Sequence, residues 1–191
     1  LDGIYDPGDN NDDVVTISLP FTFRFYGIEY NDVSVSSNGW IAFGETDMES
    51  FRNYPMPGPG GPLQMVAVFW DDLKAGSSNT GGVYTYYNAS EDMFVIEWSD
   101  VKTFFDNSTE SFQIILYDTP IEQTATGDGE MKLQYKEFNN TSSGYYPVGN
   151  YAGTPIHGQY CTVGIENHLG DDGLEYTYNG FYPDAAMPLT D

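Results

Sequence analysis

Apolar and polar side chains alternate at period two through most of this chain, and glycine or proline cuts the runs at short intervals. That combination leaves little room for anything but antiparallel β structure. In "LPFTFRFYG", Leu19, Phe21, Phe23 and Phe25 alternate with Pro20, Thr22, Arg24 and Tyr26. "DVSVSSNGWIAFG" puts Val33 and Val35 on one face, turns at Asn38-Gly39, and resumes through Trp40 to Phe43. The Asn-Gly pair suits the positive φ that a tight hairpin demands.

Three further pairs read as hairpins: "GGVYTYY" with "MFVIEWSD", "ESFQIILYD" with "GEMKLQYKEF", and "YCTVGIEN" with "LEYTYN". In "MKLQYK", Met131, Leu133 and Tyr135 face inward while Lys132, Gln134 and Lys136 face water, as in a sheet covered on one side. No stretch of a dozen residues carries a helical stripe, and 21 glycines and 11 prolines punctuate the strands. The expected architecture is all-β: one domain over 1–191, a two-sheet antiparallel β-sandwich of the jelly-roll or Ig-like kind with little helix. Residues 1–16 form an acidic N-terminal segment, and the Pro/Gly-rich "NYPMPGPGGPLQ", residues 53–64, is expected to cross between the sheets.

Charge narrows the partners. Six basic residues stand against 29 acidic ones, a net charge of −23, which repels phosphate backbones and anionic lipid surfaces and so argues against nucleic acid. No run reaches the roughly 18 to 20 apolar residues that span a bilayer as a helix, so no membrane insertion is expected. The first residues lack the basic start and apolar centre of a signal peptide, so secretion implies a leader already removed.

The stretch "VAVFWDDL" reads as a strand buried on both faces, with Asp71 and Asp72 marking where it leaves the core for water. As sequence neighbours they point to opposite faces, unlike the facing pair, about 5 Å apart, of a retaining glycosidase. Glu97, Asp100 and Glu166 are acids that could supply a partner in space. Cys161, the single cysteine, excludes an internal disulfide and a thiolate zinc site, and it reads as a small core residue. His157 and His168 read as loop residues, and no Gly-x-Ser-x-Gly elbow is present. No catalytic residue is expected, and no cofactor is required.

Calcium is the one metal the chain invites, because it wants hard oxygens on flexible loops. Asp9, Asn11 and Asp13 in "DPGDNNDD" and the Asp71/Asp72 pair are the best candidates, followed by "GDDG" at 171 and 172, although none matches an EF-hand. Asn88, Asn107, Asn139 and Asn140 fit the N-glycosylation pattern in turn-like segments. Trp40, Trp70 and Trp98 are expected in the core. Tyr86-Tyr87 and Tyr145-Tyr146 are expected to be exposed, the second pair as ligand-contact candidates in a loop.

Taken in order, "LPFTFRFYGIEYNDVSVSSNGWIAFG", "VAVFWDDL", "GGVYTYY", "FVIEWSDV", "SFQIILYD", "MKLQYKEF" and "TVGIENHLGDDGLEYTYNG" resemble β-sandwich modules of secreted bacterial peptidases and large surface proteins. The same order is similar to the NIDO domain of extracellular adhesive proteins. The resemblance covers roughly residues 17 to 180. It implies an extracellular, secreted or cell-surface module, noncatalytic and serving adhesion, assembly or accessory roles, with a filament subunit as one form. It also implies one more apolar strand after "DAAMPLTD", whose absence would leave an open edge for strand addition from neighbouring copies or other domains of a larger chain. A carbohydrate-binding module is the alternative, and a glycosidase or lectin-like enzyme fragment the second alternative.

Overall fold

The computed structural model describes residues 1–8, 12–121, 124–142 and 160–180. Among them the chain forms eleven strands and no helix: β1 (Val14–Phe25), β2 (Ile28–Ser36), β3 (Trp40–Phe43), β4 (Met65–Trp70), β5 (Leu73–Lys74), β6 (Gly82–Asn88), β7 (Met93–Thr103), β8 (Thr109–Tyr117), β9 (Met131–Glu137), β10 (Thr162–Glu166) and β11 (Gly173–Tyr178). They make two antiparallel sheets, one of six strands in the order β1-β2-β3-β4-β10-β11 and one of five. In the second sheet β5 and β6 share the same edge of β7, and β8 and β9 follow on the other side. That sheet is therefore only four strands wide, against six in the first.

The expected hairpins form. Met131, Leu133 and Tyr135 of β9 pack on the core, while Lys132 and Lys136 are exposed. Between the sheets lie Phe23, Val33, Phe69, Ile96, Trp98, Phe112 and Ile114, all buried. Phe69 and Trp98 both stack on Phe112, with ring centroids 5.3 and 5.2 Å away. Trp40, Trp70 and Trp98 are all buried, as a fold with one principal core requires of its largest apolar side chains.

The turn at Asn38-Gly39 is a three-residue loop in which only Gly39 takes positive φ, 75°. A Cβ there would lie 1.9 Å from the Phe69 carbonyl oxygen, so backbone approach and backbone conformation both demand glycine. The Gly39 carbonyl accepts from the amides of Val68 and Phe69. Asn38, fully buried, donates Nδ2 to Asp12 Oδ1 at 2.8 Å and accepts from the Leu73 amide at 2.9 Å.

The Pro/Gly-rich segment does not cross between sheets. β3 and β4, which flank it, are paired neighbours in one sheet. The segment instead lies over the outer face of that sheet as a strap. The reason is the sequence of β3 and β4, which is apolar on both faces: Trp40, Ala42, Met65, Ala67 and Trp70 form a second buried cluster with Met56 and Tyr54 of the strap. The indole nitrogens of Trp40 and Trp70 both donate to the Ser50 carbonyl, at 2.8 and 3.0 Å. Buried Asn53 ties the strap to β10 through the Tyr160 carbonyl and Thr162 Oγ1.

Candidate functional site

Three places in the described fold gather chemistry: a set of buried acids at one end, the outer face of the narrower sheet, and the flank where that sheet stops short.

The expectation that Asp71 and Asp72 lead the chain into water is overturned. They are 2% and 6% exposed. The chain passes from β4 in one sheet to β5 in the other across these two residues, so they are the corner between sheets. So short a corner stays inside, because the Asp72 amide folds back onto Asp71 Oδ1 at 2.8 Å and the Asp72 carbonyl accepts from the Phe104 amide at 2.8 Å. Asp71 Oδ2 is buried without a hydrogen-bond partner among the described residues. Burial, reinforced by the carboxyls of Asp72, Glu110 and Asp106, pushes the Asp71 pKa well above the usual carboxylate range.

Two other buried acids carry more partners. Glu110 accepts from Ser108 Oγ and the Asn140 amide on Oε1 and from the Asn139 amide on Oε2, at 2.8, 3.1 and 2.7 Å. Asp6 accepts from Ser37 Oγ and the Gly8 amide at 2.8 and 2.9 Å. Burial still outweighs these bonds and raises each pKa to about 7. Sequence reading missed Glu110, since nothing local marks it in "STESF" as an inward residue, and it read Asp6 as one carboxylate of an acidic loop rather than as a buried acid.

For calcium, Asp13 Oδ2 accepts from the Tyr5 amide at 2.6 Å, while Asp9 and Asn11 lie outside the described residues. Asp171 accepts from Asn167 Nδ2 at 2.9 Å. Among the described residues no three His, Cys, Asp or Glu side chains converge as a metal site.

The glycosylation candidates divide. Asn107 is exposed, with its side-chain Oδ1 accepting from Lys74 Nζ. Asn88 is half-buried, and its Oδ1 accepts from the Ser90 amide and hydroxyl at 3.1 and 2.7 Å. Asn139 is exposed but donates Nδ2 to the Thr109 carbonyl at 2.6 Å. Room for a glycan is not found at Asn140, which is fully buried with Nδ2 on the Gly180 carbonyl at 2.8 Å and Oδ1 on the Cys161 amide at 3.0 Å. An attached sugar would have to replace that Nδ2 bond.

The acids weighed as hydrolytic partners do not face one another. Glu97 lies on the outer face of the narrower sheet, in register with Tyr84 and Gln113. Glu166 is buried on the other sheet and accepts from the Gly58 amide of the strap at 2.9 Å. Asp100 is exposed at the bulge of β7 and accepts from Ser111 Oγ at 3.3 Å. His168 is half-buried, and His157 lies outside the described residues.

On that outer face Tyr84 and Tyr86 are 54% and 62% exposed. The row Tyr84, Glu97, Gln113, Gln134 runs across four strands, with Gln113 Nε2 donating to Gln134 Oε1 at 2.7 Å. A depression of about 310 Å³ beside it is lined by Glu97, Ser111, Gln113, Gln134 and Lys136 among others. Tyr87 turns the other way, toward Phe21, with ring centroids 6.2 Å apart. Tyr145 and Tyr146 lie outside the described residues.

At the flank, a hollow of about 220 Å³ lies between β9 and the β10-β11 hairpin, lined by Met131, Leu133, Val163, Ile165, Leu174 and Tyr176 with Gly164. Met131 and Ile165 also line a second hollow of about 370 Å³ that reaches Phe25 and Tyr26. The sequence signal for it was present in the apolar alternation of "LEYTYN", but not the fact that no described strand covers it.

Compared with known proteins, residues 5–186 match the model of a family described as NIDO related. No curated protein matches, and no solved structure matches.

Proposed function

Because the chain belongs to the NIDO-related family, we propose that it is a noncatalytic extracellular module of a secreted or surface protein, serving adhesion, assembly or an accessory role. The family match over residues 5–186 carries this reading. Two features support it. The strongly perturbed acids, Asp71 and Glu110, are buried, at 2% and 0% exposure, which suits a structural use of the carboxyl groups better than proton transfer to a substrate. The acidic surface suits a module that must stay soluble and unassociated until it meets its own partner.

The test is immunolabelling of intact cells of the source organism, with and without external protease. Protease-sensitive label outside the cell is the expected result; label found only after lysis overturns the reading. A hydrolase activity that survives purification and is lost in a Glu97→Gln or Glu166→Gln variant would overturn the noncatalytic part.

Carbohydrate recognition is the second reading, and the exposed Tyr84 and Tyr86 beside Glu97, Gln113 and Gln134 favour it. Aromatic faces stack on sugar rings, while amides and carboxylates bond hydroxyls. Affinity electrophoresis in gels containing neutral polysaccharides checks it: retardation that is lost in Tyr84→Ala and Tyr86→Ala supports it, and unchanged mobility in all gels sinks it.

A further inference from the structure

The two sheets do not end together. On β11, register with β10 sets Leu174 beside Ile165 on the inward face, yet Leu174 is 64% exposed and Tyr176 42%. Inward side chains of a sandwich are this open only where the opposite sheet lacks a strand to cover them. The opposite sheet stops at β9, which pairs with β8 alone among the described strands. One flank thus combines a strand edge unpaired among the described residues with an apolar hollow lined by Met131, Leu133, Ile165, Leu174 and Tyr176.

We infer that this flank takes up one extended strand donated by another polypeptide, with apolar residues at alternate positions and acidic residues between them. This deepens the reading of the chain as an assembly module and rests on it. The donated strand hydrogen-bonds along the free edge of β9 and lays its apolar side chains over Leu174 and Tyr176. Three inward positions of β9, Met131, Leu133 and Tyr135, mark a contact of about 14 Å, so five to seven donated residues fill it.

Charge selects the acidic residues. Lys132 and Lys136 are exposed on the outward side of β9, and no described carboxylate lies within 4 Å of either, in a chain with 29 acids. Outward Asp or Glu on the added strand would meet them across the strand pair. The same lysines reject a second copy's β9. Antiparallel self-pairing centred on Gln134 brings Lys132 of each copy against Lys136 of the other, like charge on like.

The test uses the full chain and two synthetic peptides, acetyl-EVEVEVE-amide and acetyl-KVKVKVK-amide, read by hydrogen exchange of the β9 amides and by binding. The acidic peptide should slow exchange at alternate residues of 131–137 and bind at least tenfold more tightly than the lysine peptide. The double variant Lys132→Glu/Lys136→Glu should reverse that order. Leu174→Glu, at a side chain already in water, should keep the fold and lose both peptides. Failure of the acidic peptide to slow β9 exchange overturns the proposal, as does equal binding of the two, or free-edge amides of β9 already protected without peptide. The lysines then serve only to block the edge, or the chain covers it itself. Such a result leaves the extracellular reading standing, because labelling of intact cells decides that separately.

Discussion

Asp71 has one oxygen engaged by its neighbour's amide and another buried without a partner, and its pKa stands well above that of an ordinary carboxyl because burial penalises the charge. A raised folded-state pKa means that stability is complete below the unfolded value and drains away as pH climbs toward the folded one. Asp71→Asn keeps the shape and the acceptor but never ionises. It should match the parent near pH 4 and exceed it by on the order of 1–3 kcal/mol at pH 8, measured by urea unfolding at both pH values; an equal offset at both would show that ionisation is not the cause. The sequence reading had the right residues and the wrong surroundings. "VAVFWDDL" states that a doubly buried strand ends in two acids, but whether the next residue enters water or the facing sheet depends on Asn38 receiving the Leu73 amide, a contact across 35 residues.

Among elements, the β2-β3 hairpin was legible because its turn chemistry is local. Gly39→Ala brings a Cβ against the Phe69 carbonyl at positive φ, and it should cost more than about 3 kcal/mol by chemical denaturation; a loss below 1 kcal/mol would mean that the β4 backbone yields. The strap was not legible. Composition identified an irregular segment but gave no hint that β3 and β4 are apolar on both faces because something must cover them. Its tether is testable: Asn53→Ala removes the donor to Tyr160 O and Thr162 Oγ1 and should cost about 1–3 kcal/mol. Limited proteolysis should then nick the strap between residues 50 and 61 before the strands; cleavage elsewhere first would place the weak point in another element. The open flank was half legible, since the alternation of β9 and β11 was clear while the unequal sheet widths emerge only from topology.

For the whole molecule, charge and buried acids act in one direction. Asp6 and Glu110 move from ordinary values of 3.8 and 4.5 to about 7. Below about pH 4 folded and unfolded forms both hold these protons; between 4 and 7 only the folded form does, so stability falls across that window and levels off above it. The ceiling is about 4 kcal/mol for Asp6 and about 3 kcal/mol for Glu110 before solvent screening is subtracted. Relief of the −23 self-repulsion adds to it. Unfolding midpoints should therefore be higher at pH 4.5 than at pH 8, and molar salt should erase only the repulsive share; Asp6→Asn with Glu110→Gln should flatten what salt leaves. A midpoint that rises with pH would contradict the buried state of both acids. One more feature bears on the molecule as a unit. Cys161 is the sole thiol, fully buried on the approach to β10, with its amide held by Asn140 and its pKa driven well up by burial. A sulfhydryl reagent can reach it only in moments when that region comes apart. Its labelling rate, divided by that of a free thiol at the same pH, is therefore a clock for how often the wider sheet parts beside its uncovered flank, and a strand seated there would slow the clock without touching the sulfur.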